Sequence, residues 1–334
     1  MRKLLTIVCA LILLVGCSHK RNFFPKDLES ENVNFIRFDR ALLNVNAQTA
    51  LEDIRVLYDD YPDFMPVFVE DILGIPVSDT LYLAEVLPQF LADTLYGFAQ
   101  TNNREQQLFA DTRPLEQELG RAFSRIHFLY PDFPIPNIYF FISGFNASIL
   151  FTGDDIAVGA DMYLGSDYEY YNKVVYEYQK QTMRPECIPV DIVSAYLFRH
   201  IPYTSSKSRL LDNMIYRGKI MYLLSQIFSE VPSYEVMGYT KEQWKWCESN
   251  KRAIWNLMMD KRDLFKTESV VLTSYLNDGP FTGEISQDSP GRLGTWVGWR
   301  IAESYMNHHP EATLQSLIAE PNAEKILQES YYRP

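Results

Sequence analysis

The sequence predicts an α+β fold, mostly helical, with one small antiparallel sheet at about 137–164 packed among many helices. Three observations predict it. Residues 137–164 are the one stretch that reads as sheet. Runs at 138–142, 148–151 and 156–158 are rich in β-branched and aromatic residues, and Ser143-Gly144-Phe145-Asn146 and Thr152-Gly153-Asp154-Asp155 carry turn chemistry between them. On both sides, apolar residues recur three and four apart, the helical period. No low-complexity linker interrupts residues 31–334, which favours a single domain of that extent.

The chain opens on Met1-Arg2-Lys3, a predominantly apolar run over 4–15, and then Gly16-Cys17. A basic start, a short apolar core and a small residue at the cut describe a secretory signal, too short to span a bilayer. Cysteine directly after the small residue resembles the lipobox of a bacterial lipoprotein. That resemblance makes residues 1–16 a signal peptide, Cys17 the lipidated first residue of the mature chain, and 17–30 a tether. Several acyl chains on one residue anchor stably where one does not. The membrane is therefore an expected partner, through the lipid on Cys17, in a bacterial envelope. No acidic run follows Cys17, and the folded part is placed facing the periplasm.

With a formal net charge of −12 and no basic block, the chain is not expected to bind nucleic acid. At 334 residues and 47% hydrophobic content it has ample material for a core. Beyond Cys9 and Cys17, only Cys187 and Cys247 remain. One disulfide or two buried free thiols are both open.

Helices follow in order. Ala50, Leu51, Ile54, Leu57 and Tyr58 form one apolar face, stopped by Tyr61-Pro62-Asp63-Phe64. A second helix is expected from Ser78-Asp79 toward Gln100, bent at Pro88. A third opens at Asp111-Thr112-Arg113-Pro114 and ends near Tyr130-Pro131-Asp132-Phe133, a second Y-P-D-F stop. Tyr168, Tyr170, Tyr171, Tyr176 and Tyr178 then crowd into residues 167–180, either capping the core or lining a groove for a peptide or sugar. Pro189 starts a helix that reaches His200. Ser205 or Ser206 opens another, through Leu224, and Thr240-Lys241-Glu242-Gln243 is a capping-box pattern for a helix to about Asp260.

In Ser289-Pro290-Gly291-Arg292-Leu293-Gly294-Thr295-Trp296-Val297-Gly298, loop becomes helix. Gly294 and Gly298 share a face and each cost about 1 kcal/mol of helix propensity against alanine, so close packing or a site is expected there. Arg292 sits at the junction, where an arginine can clamp a carboxylate. Elsewhere chemistry is sparse. There is no phosphate loop, no G-x-S-x-G, no paired C-x-x-C and no H-E-x-x-H among the five histidines. His127 reads as a satisfied core residue, and His308 and His309 as helix-end caps. No catalytic residue, metal site or cofactor is expected.

Several segments together resemble the GldB family of Bacteroidetes gliding-motility lipoproteins. They are Phe35-Ile36-Arg37-Phe38-Asp39, Tyr61-Pro62-Asp63-Phe64, Val158-Gly159-Ala160-Asp161-Met162-Tyr163-Leu164-Gly165, Met214-Ile215-Tyr216-Arg217-Gly218-Lys219-Ile220, the 289–298 stretch and the close Ser330-Tyr331-Tyr332-Arg333-Pro334. The resemblance implies an envelope lipoprotein whose partners belong to a motility or type IX secretion machine. More distantly, the chain is similar to zincin-like peptidases, in which a histidine-bearing helix follows the sheet and a later helix supplies Glu-Gly. Here the first helix offers only His200, and Arg217-Gly218 stands at the second position; a cation there opposes a divalent metal. The reading is a non-catalytic, zincin-like scaffold with Arg217, Gly218, Arg292, Gly294 and Gly298 as a functional or packing patch. The alternatives are a divergent metallopeptidase using His200 and a periplasmic peptide- or glycan-binding lipoprotein.

Overall fold

The computed structural model describes residues 21–93 and 98–334. Residues 1–16, read as a signal peptide, and Cys17, read as the lipidated residue, lie outside the described residues. Residues 21–30, read from sequence as tether, lie on the body, with Phe23 and Phe24 half-buried against the core.

The sheet has four strands, β1 (Phe35–Ile36), β2 (Ile138–Phe141), β3 (Ile149–Thr152) and β4 (Asp155–Gly159), in the order β1-β2-β4-β3. It is mixed, where the sequence suggested an antiparallel sheet. β3 and β4 form the expected hairpin, turning at Gly153 with φ +57°. β2 instead pairs parallel with β4, Ile138 opposite Ile156 and Phe141 opposite Gly159, and β1 pairs parallel with β2. The cause lies beyond the strand ends. Buried Asp161 accepts Ser143 N–H at 2.8 Å, Ser143 Oγ at 3.0 Å and Phe145 N–H at 2.7 Å, so the loop after β2 is tied across the end of β4 and β3 returns on the far side. At the other end Asp155 Oδ1 accepts Asn137 N–H at 2.8 Å. The parallel pair is thus bracketed by two aspartates, and a two-residue β1 is too short to show any period.

The period of two along β2 divides the molecule. Ile138 and Phe140 face one core, Tyr139 and Phe141 a second. Both faces are covered, as parallel pairing usually requires. The smaller core is built by α1 (Phe38–Leu42), α2 (Ala50–Asp60), α3 (Met65–Val67) running into a π-turn at Phe68–Ile72, and α4 (Thr80–Ala92). Phe38 packs edge to face on both Phe64 and Phe68 there, with Phe64 stacked on Tyr139 at 4.9 Å. The long helix expected up to Gln100 is two, α4 and α5 (Phe98–Leu108). α5 reads FAQTNNREQQL and offers no apolar stripe because its buried side is polar. Glu105 is buried beside Arg37 and Asp39, with Arg37 bidentate to Asp39 at 2.6 and 2.9 Å and Gln106 bonding both acids. Burial, then the Asp39 charge, holds the Glu105 carboxyl far above the usual carboxylate range.

The larger core continues through α6 (Arg113–Leu129), short turns α7 (Tyr171–Val174) and α8 (Glu177–Lys180), α9 (Ile188–His200), α10 (Leu210–Ile227), α11 (Ser233–Met237), α12 (Lys241–Asp260), α13 (Ser269–Leu276), α14 (Leu293–His308), α15 (Leu314–Ala319) and α16 (Ala323–Glu329). Both Y-P-D-F tyrosines occupy helix C-caps, Tyr61 after α2 and Tyr130 after α6. The capping box before α12 forms in both directions, Gln243 N–H to Thr240 Oγ1 at 3.1 Å and Thr240 N–H to Gln243 Oε1 at 2.9 Å. At the centre α10 crosses α14, each buried over most of its circumference.

Candidate functional site

A cavity of about 480 Å³ opens between the start of β3, α9, α11 and the loop leading into α14. Its polar groups come from elements whose ends are fixed by unusual backbone. α11 terminates at Gly238 in the left-handed region (φ +72°), and a β-carbon there would also come within 2.8 Å of Arg292 Nη2. Arg292 is itself left-handed (φ +55°) as it caps α14. From that position its guanidinium donates to Met237 O at 2.5 Å and pairs with Asp278 at 2.7 Å. Tyr239 OH donates to Gly291 O at 2.5 Å, and Thr282 Oγ1 to Pro290 O at 2.8 Å. The end of α11 and the start of α14 are therefore laced together around Arg292.

Opposite lies Asp191, in the first turn of α9, deep in the protein but with part of its surface on the cavity. Tyr163, buried at the end of the sheet, donates its hydroxyl to Asp191 Oδ2 at 2.9 Å. Burial raises the Asp191 carboxyl to about 6, against the Tyr163 hydrogen bond and the Arg292 charge, which both favour the anion. The Tyr163 phenol is pushed well up by burial and by the same carboxylate. The cavity thus holds an acid that titrates near neutrality facing an arginine–aspartate pair, an arrangement suited to a polar ligand bearing charge.

Arg217 and Arg292 come together at this end. Arg217 donates to Leu276 O at 2.8 Å, and burial, then the neighbouring Arg292 charge, lowers its guanidinium below the ordinary value. The glycines do something else. Gly218 lies against the backbone of Gly298 at the α10–α14 crossing, and Gly294 faces Tyr275 and Leu276. His200 is not at the cavity. Its ring packs between Tyr196 (4.2 Å) and Phe133 (5.1 Å), and burial pushes the imidazole below its ordinary value. His127, expected in the core, is half exposed and 4.0 Å from Glu31, because it sits on the outer side of α6. His308 caps as expected, Nδ1 2.8 Å from Ser304 O.

The tyrosine-rich segment divides. Tyr171 is fully buried and clamps the sheet end, donating to Asp161 O at 2.8 Å and accepting Leu164 N–H at 2.9 Å. Tyr178 lines the cavity and stacks on exposed Tyr176 at 5.9 Å. Cys187 and Cys247 are both free thiols. Sequence reasoning did not single out Asp191 or Tyr163. A lone acid inside the apolar run Ile188-Pro189-Val190-Asp191-Ile192-Val193 was the available signal.

Among the described residues no three His, Cys, Asp or Glu side chains gather where they could hold a metal ion, and no helix is long and apolar enough to cross a membrane. Comparisons with curated proteins and with solved structures give no match. The family described as gliding motility protein GldB matches residues 22–334, which takes in both cores, the α10–α14 crossing and the cavity. The chain belongs to the gliding motility protein GldB family.

Proposed function

We propose that this chain is a lipid-anchored, non-catalytic envelope protein that works by contact within a gliding-motility machine, and through it with type IX secretion. In this reading Cys17 carries the lipid, residues 31–334 form one domain facing the periplasm, and the fold is a zincin-like one without its metal chemistry. The observation that carries it is the family match over 22–334. The cavity supports it: the polar end presents Arg292 with Arg217 behind it, cations that oppose a divalent metal, while His200 is held in a ring stack elsewhere. A second reading, binding of a peptide or glycan, is favoured by Tyr178, which lines the cavity and stacks on exposed Tyr176.

The test is a chromosomal exchange in a gliding host. Cys17→Ala and Arg292→Ala are each expected to abolish spreading while leaving the folded domain detectable. Full motility with both changes would sink the reading. Elemental analysis of the purified domain addresses the peptidase alternative, since a stoichiometric metal lost in His200→Ala would establish it.

A further inference from the structure

We infer that the corner formed by the end of α14 and the end of α16 is the face held against the lipid surface, and that residues 21–24 are the strap that sets it there. This rests on Cys17 being the lipidated residue. Arg21 is bound in place, its guanidinium donating to Ala312 O at 2.5 Å and His309 O at 3.4 Å and lying 4.6 Å over the Phe23 ring. Phe23 packs edge-on against Tyr222, and Phe24 against Phe128, with Arg125 over its face. Arg21 is only four positions beyond Cys17, about 14 Å of chain when fully extended. A flexible tether of fourteen residues would let the domain roam; this strap does not. The His309–Ala312 corner, gripped by the Arg21 guanidinium, must stay within that reach plus the length of one arginine side chain from the anchored lipid.

The corner has the composition of an interfacial surface. Tyr331 is 67% exposed and rests on the His308 ring at 5.2 Å. Arg333 is exposed two residues further on, and Arg21 is exposed where it grips His309 O and Ala312 O, although the chain as a whole is acidic. The carboxylates of Glu311 and Glu329 both approach His309, at 3.2 and 3.8 Å. A cleft of about 270 Å³ opens here, lined by Lys251, Arg300, Glu303, Asn307, Tyr331 and Arg333. Arg300 is paired with Glu303 and Lys251 with Glu248, so Arg333, with Tyr331, is the cation offered to lipid phosphates. Arg292, at the opposite end of the sixteen-residue α14, stands about 24 Å further along the helix axis. The cavity's arginine end is thereby held away from the membrane, toward other envelope proteins.

The test uses the mature chain from Cys17, with Cys187→Ser so that Cys17 is the accessible thiol. Cys17 is coupled to a maleimide-headgroup lipid in phosphatidylethanolamine–phosphatidylglycerol vesicles, and hydrogen exchange is compared with the same protein capped in solution. Coupling is expected to slow exchange at least threefold over 307–313 and 330–333 and to leave 237–240 and 277–282 unchanged. In Arg21→Ala/Phe23→Ala/Phe24→Ala, shown folded by its circular dichroism, that local slowing is expected to vanish. Slowing at the cavity instead, no slowing at the corner, or an undiminished pattern in the triple variant would each overturn the inference. Because coupling is chemical, these outcomes do not depend on lipidation in the cell; acyl labelling of Cys17→Ala in the host decides that separately.

Discussion

Gly218 on α10 and Gly298 on α14 meet backbone to backbone. A β-carbon on Gly218 would collide with the Gly298 carbonyl carbon, and one on Gly298 with Met214 O. Two helices that are buried nearly all round gain their stability from this approach, because each brings large side chains, Trp296 and Trp299 among them, into dense packing.

Alanine at either glycine should therefore destabilise despite its better helix propensity. Propensity alone would favour alanine by about 1 kcal/mol. Overpacking a crossing made of backbone is expected to outweigh that, for a net loss of about 3 kcal/mol or more in Gly298→Ala. Gly294→Ala, whose β-carbon would sit 3.0 Å from Tyr275 O, should lose about 1 kcal/mol. Urea denaturation of the two variants gives the ranking, and a stabilised Gly298→Ala would show that the helices can part.

Asp161 is the second structural linchpin, since three donors from the 143–145 loop converge on its two oxygens. Asp161→Asn replaces one accepting oxygen by an NH₂ that faces donors. Leaving buried donors unmatched costs about 1–3 kcal/mol apiece, so a loss of about 3 kcal/mol is expected. Hydrogen exchange should quicken first at Ser143 and Phe145, with the α10–α14 crossing unaffected. Uniform quickening across the chain would mean the loop is not a separate unit.

How far the sequence reached follows from which signals are local. Capping boxes, proline starts and Y-P-D-F stops lie within a few residues, so α2, α6, α9 and α12 were legible. The parallel pairing of β2 with β4 was not, because its determinants, Asp155 and Asp161, act eighteen residues away on Asn137 and Ser143. α5 was missed because its buried face is polar. In the candidate site Arg292 stood out by position at a loop–helix junction. Its opposite number Asp191 did not, since an aspartate in a first helical turn looks like ordinary dipole complementation. Gly218 and Gly298 were visible as glycines, but only the fold shows that they meet.

Cys187 and Cys247 are separate thiols, and both are poor nucleophiles. Burial pushes Cys187 up to about 11 and Cys247 up to about 12. Since the thiolate is the reacting species, the native domain at pH 8 should react with a thiol reagent at least tenfold slower than the urea-unfolded chain. Two thiols should appear per domain on unfolding. A count of zero under non-reducing conditions would instead reveal a disulfide.

Asp191 gives the pH dependence its sign. Its carboxyl is raised to about 6 from an ordinary 3.8, so the folded state holds the proton more tightly than the unfolded chain. The contribution to stability is therefore fully present below about pH 4 and is lost as pH rises through about 6. At about 1.4 kcal/mol per unit, its size is at most roughly 3 kcal/mol. Asp191→Asn cannot ionise and keeps an oxygen for the Tyr163 hydroxyl, so the deficit it shows at pH 4 should shrink or reverse by pH 8. Tyr163→Phe removes a hydrogen bond that favours the anion, which should move the transition upward in pH. Other buried acids such as Glu105 are common to both proteins and cancel in the difference. Urea midpoints from pH 4 to 8 read this directly, and parallel curves for wild type and Asp191→Asn would show that Asp191 does not change charge in that window.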